Sequence, residues 1–164
     1  MSAGVTDVDL MLVYGTLREG VPTYGGAELP PVVTVGRGLR VPGWLFDVGA
    51  YPAAVLDWPA LRGEREAGPA IECDLVQVVR GSGVGWLQEA LAAFDAYEEV
   101  AADAETGDPG MYRRVLVDGI PARAGLACGA AGARAGSGVG ERAWIYEWTR
   151  PVTDLPRIES GRWG

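Results

Sequence analysis

A single segment with helical periodicity, residues 86–98, constrains the fold of this chain more than any other feature. In "GWLQEALAAFDAYEEV" the apolar residues Leu87, Leu91 and Phe94 recur at helical spacings, and alanine, the best helix former, is plentiful between them. No other segment shows a comparable helical pattern. The chain is therefore predicted to contain one principal helix.

Strand-like segments, most of them rich in β-branched and aromatic residues, lie on both sides of this helix. They are residues 10–14, 31–41, 43–57 (two strands around a turn at Gly49–Pro52), 70–79, 111–119 and 142–149. Strands and helices do not alternate regularly, so an α+β fold is predicted rather than a doubly wound sheet. The length of 164 residues suits one domain, placed at residues 10–164. The Gly/Ala-rich segment 120–140 within it is predicted to be a mobile loop.

The charge balance and the missing residue types exclude several classes of function. The chain has 22 acidic and 14 basic residues, a formal net charge of −8, which argues against nucleic-acid binding. Lysine and histidine are both absent. Their absence excludes Schiff-base catalysis, a Walker-type phosphate lysine, His-based triads and histidine zinc sites.

Cysteine usage predicts a cytoplasmic location. The two cysteines are Cys73, in an apolar segment and predicted to be a core residue, and Cys128, in the Gly/Ala-rich segment and predicted to be exposed. A secreted disulfide scaffold usually carries more cysteines, so a reducing compartment is expected. The N-terminal segment lacks the basic and apolar regions of a signal peptide, and no apolar segment is as long as a membrane span. No membrane association is therefore expected.

The segment "VYGTLREG" contains the first candidate site. Gly15 follows an apolar strand and permits a positive φ or a close approach of the backbone, and Thr16 can form a cap or a turn. Successive backbone N–H groups in such a turn can bind an anion without any lysine. Taken alone, these residues favour an ordinary turn with nothing bound, and Arg18 is assigned a structural role.

The end of the helix contains the second candidate site. Asp95 and Glu98 stand three residues apart and share one helix face. An acidic group near the C-terminal end of a helix opposes the helix dipole, which raises its pKa, and burial raises the pKa further. A carboxylate of raised pKa suits general base catalysis. The simpler interpretation is a solvated acidic helix end, in which Asp95 acts as a cap or pairs with Arg113 or Arg114.

The strand "WIYEW" is predicted to pack in the core, with Tyr146 as the member that reaches a pocket. Before it, the pair Arg113–Arg114 can either bind acidic groups or divide between the two faces of an edge strand.

The order and spacing of four motifs resemble the γ-glutamylcyclotransferase-like family, also called avirulence-induced-gene-2-like or BtrG-like. The motifs are "VYGTLREG", "GAYPA", "AFDAYEEV" and "MYRRVLV". The ending "RIESGRW" is similar to the I-x-S-G-D-W ending of many bacterial members, so the resemblance covers about residues 10–163. In the sheet motif "IECDLVQV", Cys73 and Asp74 replace the glycine and the glutamate that are usual in the family.

The resemblance implies a mixed β-sheet that closes into a small barrel, with one principal helix and a cavity at the barrel mouth. It also implies an enzyme that cleaves γ-glutamyl compounds by intramolecular cyclisation, releasing 5-oxoproline and a free amine or amino acid. Glu98 matches the family's catalytic acidic residue and is assigned as general acid/base, with Asp95 as its structural support. Tyr146 is assigned to substrate binding. The residues that match the family's substrate-holding turn are Tyr14, Gly15, Thr16 and Leu17.

This interpretation needs no metal and no other cofactor, and its only expected partner is a γ-glutamyl small molecule. The oligomeric state is left open, and the many Arg, Ala and Gly residues without Lys suggest a bacterial source. Two alternatives stay open. One is a non-catalytic small-molecule-binding domain of the same fold, and the other is a related acyl- or lactam-forming enzyme of secondary metabolism.

Overall fold

Six strands and two helices make up the described part of the chain. The structure, a computed structural model, describes residues 7–18, 28–98, 110–120 and 141–164. In chain order the elements are β1 (Leu10–Val13), β2 (Val32–Asp47), β3 (Pro52–Leu56), α1 (Trp58–Leu61), β4 (Ala70–Val78), α2 (Trp86–Tyr97), β5 (Tyr112–Ile120) and β6 (Glu141–Trp148).

The six strands form one mixed sheet in the order β3-β2-β4-β1-β6-β5. β1 and β6 run parallel, and the other neighbouring pairs are antiparallel. The sheet curls so that β3, at one edge, packs against β6 near the other. There the backbone N–H of Leu56 donates a hydrogen bond of 2.9 Å to the Glu147 carboxylate. The result is a curled half-barrel with few helices, which confirms the predicted α+β fold class.

β1 is buried on both faces of the sheet, which explains its unbroken run of apolar residues. Leu10 and Leu12 belong to an apolar cluster shared with β2, β3 and β4. Met11 and Val13 point to the opposite face, into a second cluster that includes the apolar residues of α2. The turn that follows β1 is therefore anchored by a strand that is packed on both faces of the sheet.

The predicted helix is confirmed as α2, which ends one residue earlier than predicted. Its buried residues are Leu87, Ala90, Leu91 and Phe94, so the predicted apolar spacing does define the packed face. The helix begins after Gly85, whose φ of 86° lies in the left-handed region that glycine favours. Glu98 is the C-cap residue, and its position is thus fixed by the packing of the whole helix.

The prediction that the strand at 31–41 is separate from the first strand of 43–57 was wrong, because β2 runs without a break from Val32 to Asp47. Shifts in its pairing with β4, between Thr34 and Gly36 and between Gly36 and Leu39, absorb the glycines as bulges. The chain also continues past Pro42, whose carbonyl accepts a hydrogen bond of 3.0 Å from the Asp57 N–H. Pro42 lacks an N–H group but destabilises the sheet little, because its carbonyl still accepts this hydrogen bond.

The helix α1 was not predicted. It has only four residues, which is too short for helical periodicity to appear in the sequence. The local signals are Asp57, whose side chain accepts a hydrogen bond of 3.3 Å from the Ala60 N–H, and a proline in the first turn.

Some of the sequence predictions lie outside the described residues. Residues 121–140 of the predicted loop, with Cys128, are among these, whereas Ile120 ends β5. The assignment of residues 10–164 to a single domain stays a prediction. Cys73 is fully buried, as predicted. Within the described ranges, no helix is long and apolar enough to cross a membrane.

Candidate active site

The chain leaves β1 through a tight turn at residues 15–18. The Arg18 N–H donates a hydrogen bond of 3.1 Å to the Gly15 carbonyl, which closes the turn. A turn of this kind leaves the N–H groups of its two central residues, Thr16 and Leu17, without a partner inside the turn. Such N–H groups are what the predicted anion-binding turn requires.

Position 15 has no room for a side chain. A Cβ atom on Gly15 would lie 2.8 Å from Cγ and 2.9 Å from Cδ of Pro52, distances that real Cβ contacts essentially never show. The proline ring at the start of β3 therefore packs directly on the turn backbone. In the structure, the close approach that Gly15 permits is made to Pro52, while its contact with a substrate stays a prediction.

Arg18 holds the far side of the turn. Its Nε donates a hydrogen bond of 3.2 Å to Asp74 Oδ2, and its Nη1 donates one of 3.2 Å to the Trp163 carbonyl. Asp74 is buried and also accepts a hydrogen bond of 3.1 Å from the Gly38 N–H. These contacts tie the turn to β2, to β4 and to the C-terminal segment, which agrees with the structural role predicted for Arg18.

The end of α2 is joined to the same turn. The hydroxyl of Tyr97 donates a hydrogen bond of 2.7 Å to Thr16 Oγ1 across 81 positions of sequence. Since Glu98 is the next residue after Tyr97, this bond fixes the helix end close to the turn. The sequence placed the turn and the acidic helix end in one site, and this contact connects them.

A cavity opens between the turn, the end of α2 and the strands β3, β5 and β6. It encloses about 310 Å³, its open mouth included. Its lining residues are Leu12, Val13, Tyr14, Gly15, Thr16, Leu17, Tyr51, Pro52, Glu98, Tyr112 and Tyr146. All six residues that were predicted to form the site are in this set.

Among the described residues, Glu98 is the only charged one that lines this cavity. Its side chain is partly buried, and among the described residues it makes neither a hydrogen bond nor an ion pair. Burial raises the pKa of Glu98 from its usual 4.5 to about 7. The pKa is raised because burial removes water from around the carboxylate. The sequence had suggested the helix dipole as a second cause. Near neutral pH the carboxyl group is therefore poised to accept and to return a proton.

Three tyrosines of the cavity direct their hydroxyl protons away from it. Tyr14 donates to the Tyr146 carbonyl, Tyr112 donates to the Pro52 carbonyl, and Tyr146 donates to Asp95 Oδ1. Burial raises the pKa of each of these three hydroxyls well above its usual value. They are thus neutral at pH 7, and what they offer the cavity is oxygen lone pairs rather than protons.

Asp95 and Glu98 have different environments although they share one helix face. Asp95 accepts hydrogen bonds from Arg114 Nε at 2.8 Å and from Arg114 Nη2 at 3.2 Å, and it accepts the Tyr146 hydroxyl at 2.7 Å. The Arg114 guanidinium lies 4.3 Å from the ring centroid of Trp144. Of the two predicted partners, Asp95 therefore binds Arg114, and its charge is neutralised while Glu98 is left for the cavity.

The two adjacent arginines of β5 serve opposite faces of the sheet. Arg113 pairs with the buried Glu147, which also accepts hydrogen bonds from the Leu56 N–H and the Trp58 indole. Arg114 pairs with Asp95 on the other face. Neither arginine is among the described residues that line the cavity, so neither of them pairs with an anion bound there.

Sequence reasoning missed five lining residues, namely Leu12, Val13, Tyr51, Pro52 and Tyr112. Tyr51 and Pro52 belong to "GAYPA" and Tyr112 belongs to "MYRRVLV", motifs that carried the family resemblance. Nothing in their local pattern marks them as site residues, because the curling of the sheet brings them to the cavity. Over the described ranges no cluster of three or more Cys, Asp or Glu residues is arranged to hold a metal ion.

Two solved structures are similar to this chain. The solution structure of protein ytfP from Escherichia coli superposes with a TM-score of 0.50 at 20% identity, over 94% of this chain and 95% of that chain. The crystal structure of the protein PH0828 from Pyrococcus horikoshii gives a TM-score of 0.49 at 19% identity, over 94% of this chain and 89% of that chain. No curated protein matches the chain significantly.

A family model shows the family of this chain, which structures of such low sequence identity do not show. The model described as "Gamma-glutamyl cyclotransferase, AIG2-like" matches residues 11–164, which is nearly the whole chain. The match includes the turn, both halves of the sheet and the end of α2. It confirms the resemblance that the four sequence motifs indicated, and the chain belongs to the γ-glutamyl cyclotransferase, AIG2-like family.

Proposed function

We propose that this protein is a γ-glutamyl cyclotransferase that converts a γ-glutamyl amide into 5-oxoproline and a free amine or amino acid, with Glu98 as general acid/base. The observation that carries the proposal is that Glu98, whose pKa is about 7, lines one small cavity together with the turn residues Gly15, Thr16 and Leu17. Membership of the family supports the general kind of activity. A γ-glutamyl small molecule is the expected ligand, and a cytoplasmic location is part of the proposal.

The first step is activation of the nucleophile. The α-amino group of the substrate is mostly ammonium at pH 7 and cannot attack while it carries its proton. The Glu98 carboxylate accepts a proton from this group, and its raised pKa brings the two proton affinities closer together. The neutral amine then attacks the γ-carbonyl carbon of the same molecule.

The second step is loss of the leaving group. The attack forms the new C–N bond of a five-membered lactam, and the bond from the γ-carbon to the departing nitrogen breaks. The proton held by Glu98 passes to that nitrogen. The attacking nitrogen loses a second proton as it becomes the lactam N–H, and the Glu98 carboxylate accepts this proton and passes it to the released amine, which leaves as ammonium. Glu98 is then a carboxylate again, and no water is consumed. Because the nucleophile and the electrophile belong to one molecule, holding the chain in a curled conformation supplies much of the rate.

The polarity of the cavity fits a γ-glutamyl group. The turn contributes N–H donors at Thr16 and Leu17, which suit the α-carboxylate or the oxyanion that develops on the γ-carbonyl. Glu98 and the tyrosine lone pairs, which also line the cavity, offer acceptors to the α-ammonium group. The cavity therefore offers a partner to each of the two charged groups of the substrate.

The proposal is tested with a panel of γ-glutamyl amines, γ-glutamyl dipeptides and glutathione. Release of 5-oxoproline is measured by mass spectrometry for the wild-type protein and for the Glu98→Gln variant. We expect turnover of at least one compound and a loss of about 100- to 10,000-fold in the variant, the usual contribution of a general acid/base. Glu89→Gln, an exposed residue of the same helix, is the matched control and keeps full activity.

The two alternatives appear as other outcomes of this experiment. Ligand binding without product across the panel indicates a non-catalytic binding domain. A product other than 5-oxoproline indicates acyl or lactam chemistry on a related amide.

A further inference from the structure

We propose that Tyr97 is a positioning residue that orients the Thr16 hydroxyl, so that Thr16 donates a hydrogen bond to the α-carboxylate of the substrate. This inference rests on the proposed function and deepens it. Tyr97 is not one of the cavity residues, and it acts on the substrate only through Thr16.

The direction of the bond between the two hydroxyls is the first step. The phenol of Tyr97 is the more acidic of the two groups and therefore the better donor, and Thr16 Oγ1 accepts it at 2.7 Å. A hydroxyl that accepts in this way still carries its own proton. Among the described residues, nothing accepts that proton from Thr16.

The place of Thr16 decides where that proton goes. Thr16 lines the cavity and is a central residue of the turn that the hydrogen bond from the Arg18 N–H to the Gly15 carbonyl closes. With one side of its oxygen occupied by Tyr97, its proton can be directed into the cavity, beside the N–H groups of Thr16 and Leu17. The turn then presents three donors to one anion instead of two.

The other polar residues of the cavity have the complementary polarity. Tyr112 and Tyr146 both donate their hydroxyl protons to protein acceptors, and Glu98 carries the only charge among the described lining residues. A carboxylate is thus disfavoured beside Glu98 and these hydroxyl oxygens and favoured at the N–H groups of the turn, while an ammonium group has the reverse preference. The Thr16 hydroxyl is on the side where the α-carboxylate belongs, and this contact is made in the ground state as well as in the transition state.

A double-mutant cycle between Tyr97→Phe and Thr16→Val tests the inference, with 5-oxoproline release as the readout. A neutral hydrogen bond corresponds to about 3- to 10-fold in binding, so Tyr97→Phe is expected to raise KM by this factor with kcat nearly unchanged. Thr16→Val raises KM at least as much. In the Thr16→Val background, Tyr97→Phe should have no further effect, because the hydroxyl that it orients is gone.

Two further measurements separate this role from a structural one. Thr16→Ser retains the hydroxyl and should retain both the wild-type KM and the sensitivity to Tyr97→Phe. The acidic limb of the pH profile should be unchanged in Tyr97→Phe, because Glu98 is not touched. Thermal unfolding of each variant shows that the fold is intact.

The inference is overturned if the loss caused by Tyr97→Phe persists undiminished in the Thr16→Val background. It is equally overturned if Tyr97→Phe lowers kcat and shifts the acidic limb, since Tyr97 would then act through Glu98. If the protein binds its ligand without turnover, the same double-mutant cycle is carried out with the dissociation constant of L-glutamate, measured by calorimetry, as the readout. A wild-type protein that neither releases 5-oxoproline nor binds L-glutamate contradicts the proposed function itself, and this inference falls with it.

Discussion

The hydroxyl of Tyr146 donates a hydrogen bond of 2.7 Å to Asp95 Oδ1, and this contact joins β6 to α2 three residues before Glu98. The same carboxylate pairs with Arg114 of β5. One acidic side chain thus connects two strands and a helix at the edge of the cavity. Asp95 holds the helix end and satisfies Tyr146, which leaves Glu98 as the carboxylate that faces the cavity.

Replacement of Asp95 by alanine is expected to destabilise the protein by about 2–4 kcal/mol. It removes a bidentate pair with Arg114 and leaves the buried Tyr146 hydroxyl without an acceptor. The free energy of unfolding is measured in urea. As a control, Glu159→Ala breaks an exposed ion pair with Arg157 and should cost less than about 1 kcal/mol. Equal losses in the two variants would show that Asp95 has no special structural role.

Gly15→Ala is expected to cost about 1–3 kcal/mol and to lower activity. The added methyl group would lie 2.8 Å from Pro52 Cγ, so the turn or β3 must shift, and the N–H groups of the turn shift with it. Gly68→Ala is the matched control, because a Cβ at that exposed position meets no atom within 4 Å. Urea unfolding and 5-oxoproline release are both measured. If Gly15→Ala behaves like Gly68→Ala, the contact with Pro52 does not constrain the turn.

Two arginines approach Asp74, and their removal should have unequal effects. Arg18→Ala removes a largely buried guanidinium together with its contacts to Asp74 and to the Trp163 carbonyl. This loss is expected to lower the free energy of unfolding by about 2–4 kcal/mol. Arg37, which is 65% exposed and 3.9 Å from Asp74, should contribute less than about 1 kcal/mol. Unfolding of Arg18→Ala and Arg37→Ala in urea compares them directly. A loss in Arg37→Ala that equals or exceeds the loss in Arg18→Ala would contradict this assignment.

Glu98→Gln is expected to stabilise the protein at alkaline pH. Burial raises the pKa of Glu98 in the folded state to about 7, so the folded state binds the proton more tightly than the unfolded state does. The free energy of unfolding contributed by this group therefore falls as pH rises from about 4.5 through about 7. Above that range the buried carboxylate destabilises the fold by about 3 kcal/mol.

Urea unfolding of the wild type and of Glu98→Gln at pH 4.5 and at pH 8 measures this effect. The variant should gain on the wild type between the two pH values, whereas the exposed control Glu89→Gln should not. A difference between wild type and Glu98→Gln that is the same at both pH values would show that the pKa of Glu98 is not raised in the folded protein.

The sequence predicts those elements whose pattern is local. The apolar spacing of Leu87, Leu91 and Phe94 defines α2, and the alternation of faces in β1 follows once both faces are covered. The continuity of β2 is not predictable in this way, because its glycines form bulges only when β4 is paired beside it. The four residues of α1 are too few to show a period.

The residues of the candidate site likewise fall into those that a local motif predicts and those that only the fold brings together. Glu98 and the turn at Tyr14 to Leu17 are contiguous motifs, and the resemblance to a family identified them. Tyr51 and Tyr112 reach the cavity through the curling of the sheet, which no local pattern encodes. The hydrogen bond between Tyr97 and Thr16 depends on the exact end of α2 and on the path of the turn, so it becomes visible only in the structure.

The pH dependence of 5-oxoproline release tests the central claim, that Glu98 is the general acid/base, most directly. On the best substrate of the panel, kcat/KM of the wild type should rise with pH along a limb with an apparent pKa of about 7. Glu98→Gln should lose that limb together with most of the rate. A Glu98→Gln variant that keeps the wild-type rate and the same acidic limb would contradict the account.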